Sequence, residues 1–219
     1  MLNYILEQIF PTTCGICGEI NKEAICKKCK AKIDKKIICK TQYKYMSGEF
    51  VKYMYLFKYE GELRNIMLSY KFKEKVYLYE FFVKIILKSK KAYEFLNKYD
   101  IIIPVPLHIK KVRHRGYNQC ELISNKISQN IIGLQTDNDM LVKIKNNLRQ
   151  SSLCLQDRIE NVKGVYIVKD MEKIKLSIRG KNILIFDDIS TTMSTITECV
   201  KKLREFEPNS IGAFTIFRD

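Results

Sequence analysis

Residues 181–198 read KNILIFDDISTTMSTITE, and this stretch decides the fold. Asn182 to Phe186 supply the short apolar run of a core strand. Asp187 and Asp188 end that run as two adjacent carboxylates. Ser190, Thr191, Thr192, Met193, Ser194 and Thr195 follow and lead into an amphipathic helix expected over 196–206. A hydroxyl-rich loop at a helix N-terminus suits an anion, because free backbone N–H groups and the helix dipole converge there. Carboxylates on the strand side suit sugar hydroxyls or the waters of a metal ion. One loop can therefore grip a phosphorylated ribose, phosphate on one side and hydroxyls on the other. The same residues also fit a plain Ser/Thr-rich N-cap after any strand of an α/β protein.

A second strand with the same logic precedes it. Residues 100–107 read DIIIPVPL, an apolar run stopped sharply by Pro104-x-Pro106. The segment Pro106, Leu107, His108, Lys110, Lys111, Arg113, Arg115 follows, with four permanent cations between 108 and 115. A cationic loop between strand and helix, at the carboxyl end of a parallel sheet, is where α/β proteins hold anionic ligands. The bland alternative is a solvated turn. His108 and His114 form no metal pair and no acid–base dyad with an identifiable partner. Further on, 141–145 alternates like an edge strand and 164–168 reads as another. The polar, cationic stretch between them has the composition of a lid.

The amino-terminal part carries different chemistry. Cys14-x-x-Cys17 and Cys26-x-x-Cys29 lie eight residues apart, a spacing that closes a tetrahedral Zn²⁺ site. Gly15 and Gly18 relax the backbone around the first pair, and Lys22, Lys27, Lys28 and Lys30 offset the negative charge of four thiolates on zinc. Four thiolates leave no open coordination position, so such a zinc is structural. Cys120, Cys154 and Cys199 read as small buried residues.

Composition sets the outer bounds. The 219 residues suffice for one sizeable domain and a small appendage. The formal charge of +15 suggests phosphates, nucleotides or nucleic acid as partners. Lysine outnumbers arginine 31 to 8, which an AT-rich coding bias explains equally well. Residues 1–10 carry Glu7 and lack a basic start, so no signal peptide is expected. The apolar run 81–87 is interrupted by Lys84 and is too short to span a bilayer. A cytoplasmic protein without membrane insertion is the expectation, with its cysteines reduced or metal-bound.

Taken together, these pieces resemble ComF-type competence proteins. The resemblance rests on PTTCGICG with CKKC, on YEGELRNIMLSYKF, on IIPVPLHIKKVRHRGYNQCELI, on KIKNNLRQSSLCLQDRIENVKGVY and on GKNILIFDDISTTMST, in that order. It implies a zinc-binding module over 1–45 and a type I phosphoribosyltransferase-like domain over 46–219. The implied fold class is α/β, a mostly parallel sheet flanked by helices, with 46–99 in flanking and hood elements and 100–219 as core. It implies that Asp187, Asp188 and the 190–195 loop hold phosphoribosyl pyrophosphate (PRPP) with Mg²⁺. Pro106 to Arg115 would then face the pyrophosphate, and Lys143, Lys145, Gln150 and Arg158 would form the lid. Met193 stands where that family's signature usually has Gly, Lys143 and Lys145 replace two arginines, and Asn147 replaces Thr. The implied biology is uptake of single-stranded DNA in natural competence, alongside other competence proteins. Three readings stay open at this level: a catalytic phosphoribosyltransferase, a non-catalytic PRPP sensor or DNA-uptake adaptor, and a zinc-ribbon nucleic-acid binder on an inherited scaffold.

Overall fold

The computed structural model describes residues 11–72, 75–146 and 162–219, apart from the side chain of Lys173. Gln150 and Arg158 of the expected lid, with Asn147 and Cys154, lie outside the described residues. The elements run in order α1 (Lys27–Asp34), β1 (Lys40–Met46), β2 (Glu49–Lys58), α2 (Gly61–Phe72), α3 (Leu78–Lys88), α4 (Lys90–Leu96) and β3 (Ile101–Pro104). Next come α5 (Ile109–Arg115), α6 (Gln119–Ser128), β4 (Gln135–Thr136), β5 (Leu141–Lys143) and β6 (Tyr166–Val168). The chain closes with α7 (Met171–Ile178), β7 (Asn182–Ser190), α8 (Ser194–Arg204) and β8 (Ser210–Arg218).

One six-stranded sheet has the order β1-β2-β8-β7-β3-β4. Its inner pairings, β2–β8, β8–β7, β7–β3 and β3–β4, are all parallel, and only the edge pair β1–β2 is antiparallel. Strands β7 and β8 are central and covered on both faces, which is why each reads as an unbroken apolar run. Alternation along β7 sends Leu184 and Phe186 to one face and Ile183 and Ile185 to the other. The first face packs under α2, α3, α4 and α6 through Leu63, Ile66, Phe82, Ile86, Phe95 and Ile123. The second packs under α7 and α8 and the small β5–β6 sheet through Ile174, Ile178, Ile196, Val200, Leu203 and Tyr166. Gly212 is required where Tyr99 crosses β8, since a Cβ there would sit 2.0 Å from the Tyr99 hydroxyl.

The cysteine-bearing module is not a separate bead. Cys14, Ile25, Cys29 and Ile33 are buried in the same apolar cluster as Leu63 and Leu78. Gly15 lets the first cysteine turn approach α3, because a Cβ there would lie 2.7 Å from Leu78. Strand β1 pairs with β2 from Lys40 to Met46, so the boundary expected between residues 45 and 46 falls inside a hairpin of the main sheet. Sequence pattern could not show this, since a Lys/Tyr alternation on an exposed edge strand carries little apolar signal. No helix among the described residues is long and apolar enough to cross a membrane.

Candidate functional site

The carboxyl ends of β3 and β7 open on the same edge of the sheet, because the two strands run parallel with Pro104 beside Phe186. β7 continues past the acidic pair to Ser190, further than the apolar run suggests, because β8 pairs with it up to Ser190 opposite Arg218. The chain then turns through Thr191 and Thr192 into α8. A small recess lies here, lined by Asp187, Ser190, Thr191, Met193, Ser194 and Thr195 among others. Its floor is the first turn of α8, whose leading N–H groups have no carbonyl four residues back to accept them.

Each hydroxyl of the loop has a distinct environment. The Ser190 hydroxyl lies 2.5 Å from that of Tyr53, which in turn lies 2.7 Å from that of Thr215, so Ser190 is turned into the sheet. The Thr192 hydroxyl accepts the backbone N–H of Ser194 and lies 2.7 Å from its side-chain hydroxyl. Arg218 donates to the carbonyl of Thr191 and so pins the turn to the end of β8. Met193 is left-handed, with φ +65°, and takes the N-cap position of α8. Its side chain is 7% exposed and packs in the same core cluster as Ile196 and Val200. The methionine thus adopts the backbone state for which glycine is the usual choice.

The two aspartates are not equivalent. Asp188 is 3% exposed. Lys71, from the last turn of α2, places its ammonium 2.7 Å from one Asp188 oxygen, and the Gln119 amide donates to the other at 2.5 Å. Asp187 is half-buried and borders the recess. One of its oxygens accepts the Asp188 backbone N–H at 2.8 Å and the Cys120 thiol at 3.7 Å. Burial, then the neighbouring Asp188 charge, push the Asp187 carboxyl up to about 7. Lys71 lies outside the motifs that mark the site in sequence, and Cys120 reads there only as a small buried residue. Gln119 carried no signal of its own.

Of the segment expected to face a pyrophosphate, Ile109–Arg115 form a short helix, α5, and Pro106, Leu107 and His108 lead into it without regular structure. His108 caps it by accepting the Lys110 N–H, and Gly116 ends it in the left-handed conformation. Lys110 and Arg113 are exposed, whereas Lys111 and Arg115 are half-buried. Arg115 donates to the Gln119 side chain and lies over the Phe72 ring at 5.3 Å. Of the lid residues, Lys143 sits on β5 with its ammonium 5.4 Å from the centre of the Tyr166 ring. Burial, then the charge of Lys111, lower Lys143 to about 8, while Asp187 opposes the shift. Lys143 therefore lies within the electrostatic reach of both Lys111 and Asp187. Lys145 is exposed, and Gly164 opposite donates its N–H to Glu198 of α8 at 2.8 Å.

Two metal-compatible clusters exist among the described residues. The sulfurs of Cys14, Cys17, Cys26 and Cys29 all lie within 4.8 Å of one another, with Cys17 and Cys26 at 3.8 Å. Zn–S bonds of about 2.3 Å in a tetrahedron need sulfurs roughly 3.8 Å apart, so this set fits zinc. The second cluster, Cys120 with Asp187 and Asp188, does not fit Mg²⁺. Magnesium demands near-octahedral oxygen donors, whereas here one donor is a buried thiol and Lys71 already stands at Asp188.

A further feature lies at the amino edge of the sheet. Tyr43, Tyr45 and Phe50 are 63%, 68% and 70% exposed on one face of the β1–β2 hairpin. Tyr45 sits opposite Phe50 and Tyr43 opposite Lys52, with the Tyr45 and Phe50 rings 5.3 Å apart. Lys98 and Tyr99 complete the concave surface beside them.

No family model matches the chain. Competence protein F of Haemophilus influenzae is 29% identical over 119 residues, 54% of this chain and 50% of that protein. DNA utilization protein YhgH of Escherichia coli O157:H7 is 29% identical over 104 residues, 48% of this chain and 43% of that protein. Competence protein ComFC of Bacillus subtilis is 26% identical over 126 residues, 56% of this chain and 46% of that protein. The chain spans about half the length of these curated relatives. The similarity is to a ComF-like family of competence proteins. Among solved structures, a purine phosphoribosyltransferase from Pyrococcus horikoshii matches at 14% identity and a TM-score of 0.35, over 64% of this chain and 82% of that one.

Proposed function

We propose that the recess between β7 and α8 binds a phosphorylated ribose, with PRPP as the ligand. The observation that carries this reading is Asp187 at the lip of a recess whose floor is the start of α8. A 5′-phosphate at that helix N-terminus meets the dipole and the backbone N–H groups. Asp187 then accepts from the ribose hydroxyls. Lys111 and Lys143 supply positive potential where the diphosphate lies, and Met193 supplies the left-handed turn of the loop with its side chain packed in the core. Mg²⁺, when bound, would supply charge neutralisation to the diphosphate, and the acidic pair, with Lys71 at Asp188, would not hold it. On this reading the activity is phosphoribosyl transfer, and the zinc module is a structural buttress against α2 and α3. The names of the relatives extend to this chain, as part of the proposal, a role in handling DNA during competence. Isothermal titration of PRPP with Mg²⁺ tests the reading. Binding that is absent at millimolar ligand, in protein that is folded and zinc-loaded, removes it.

A second reading, a DNA-uptake adaptor that binds single strands without catalysis, is favoured by the exposed aromatics of the β1–β2 hairpin beside Lys52 and Lys98. Bases stack on such rings at roughly 1–3 kcal/mol each, and the lysines meet phosphates. Anisotropy of a labelled oligonucleotide at low salt tests it. Replacing Tyr43, Tyr45 and Phe50 together with alanine should release the oligonucleotide, and unchanged binding would exclude this surface.

A further inference from the structure

The last turn of α2 is clamped onto the turn that precedes α6. The Tyr70 hydroxyl donates to the Gln119 carbonyl at 3.1 Å, and the Tyr117 hydroxyl donates back to the Tyr70 carbonyl. The two rings stack with centroids 5.6 Å apart. Phe72 lies under Arg115. Between these contacts, Lys71 projects to Asp188, with 16% and 4% of the two side chains exposed. Arg115 fixes the Gln119 amide by donating to its oxygen, which turns the amide nitrogen toward the second Asp188 oxygen. Both oxygens of Asp188 are thus supplied with donors by the protein itself.

Taking an ammonium and a carboxylate out of water is costly, and such a pair is not by itself a source of stability. Its geometry is what it secures. A divalent ion placed on Asp188 would face the Lys71 ammonium at contact distance, in surroundings where like charges repel far more than in water. We propose that Lys71 is the resident counter-ion of the acidic pair: it excludes a metal ion from Asp188, holds that carboxylate as scaffold, and leaves Asp187 alone to meet the ligand. Lys71 is a positioning residue, and Gln119 transmits the orientation of Arg115 on α5 to the same carboxylate. The identity of that ligand rests on the ribose reading above, whereas the exclusion of metal does not.

The test is metal binding by the zinc-loaded full chain with no phosphorylated ligand present. Mn²⁺ is titrated and followed by loss of its free-ion electron paramagnetic resonance signal. Wild type and Lys71→Arg are expected to bind no Mn²⁺ at the pair. Lys71→Gln is expected to gain one Mn²⁺ per chain, and the added Asp188→Asn change to abolish it. Wild type binding one Mn²⁺ that Asp188→Asn removes would overturn the proposal. So would a folded Lys71→Gln protein that gains none. If Lys71→Gln does not fold, the near-isosteric Asp188→Asn carries the test by itself. Without its carboxylate partner the Lys71 ammonium is no longer held at 2.7 Å in a covered contact, so Lys71 is expected to become several-fold more reactive toward an amine-labelling reagent, read by peptide mass. Unchanged protection of Lys71 would refute the pairing. Failure of PRPP to bind would sink the ribose reading and leave these outcomes standing.

Discussion

Met193→Gly separates two roles of one residue. The backbone at 193 is left-handed, and the side chain is buried beside Ile196 and Val200. Glycine removes the left-handed penalty of about 1–2 kcal/mol. It also deletes a buried methionine side chain, and truncations of that kind cost about 2–5 kcal/mol. The second term wins, with a net loss of roughly 2 kcal/mol and a melting point lower by about 4–8 °C for a chain of this size. The loop keeps its path, because glycine adopts the same φ, so the PRPP affinity should stay within a few-fold of wild type. Met193→Asn tolerates the left-handed state but also loses the packing, and should melt with Met193→Gly. The assays are calorimetric melting and isothermal titration on the three proteins. A Met193→Gly protein as stable as wild type would refute the burial of the side chain. A stable fold with more than tenfold weaker binding would show that the side chain, and not the turn, builds the recess.

Four further outcomes are expected. Asp187 is held up to about 7 from an ordinary 3.8, so the native state binds its proton more tightly than the unfolded chain. The stability this group contributes is complete below the ordinary value and is lost as pH rises through about 7, and Asp187→Asn should flatten that limb in denaturant titrations run from pH 4 to 8. Ligand affinity should instead rise as Asp187 ionises and fall as Lys143, lowered to about 8, loses its charge, giving a narrow optimum. Titrations across pH 5.5–9.5 check this, and Lys143→Arg should remove the alkaline limb. Cys29→Ser should release zinc, measured by metal analysis, and should also lower the main melting transition, because Cys29 and Ile33 share the core of α2 and α3; an unchanged main transition would show that the module stands apart. Gly212→Ala should destabilise by about 2 kcal/mol or more through collision with Tyr99, and the loss should shrink in the double variant with Tyr99→Ala.

Much of this protein is legible along the chain. The strand–acid–hydroxyl–helix order of 181–198, the proline stop after 103 and the paired C-x-x-C turns are local signals, set by the periodicity of burial and by the residues that begin and end elements. They suffice to place an α/β sheet, an anion-ready loop and a thiolate cluster without any coordinates. Local pattern cannot say which side chain meets which across the fold. Lys71 and Asp188 are 117 residues apart and touch only because α2 crosses the carboxyl edge of β7. Two adjacent aspartates look interchangeable in sequence, yet a strand sends neighbours to opposite faces, so one faces the recess and the other is bound to a lysine and an amide. Met193 reads as an obstacle until the left-handed turn directs its side chain into the core. The stretch up to 45 reads as the end of the zinc-binding module until the strand at 40–46 pairs with β2. In each case the deciding energy belongs to contacts made at long range, which only the folded chain brings together.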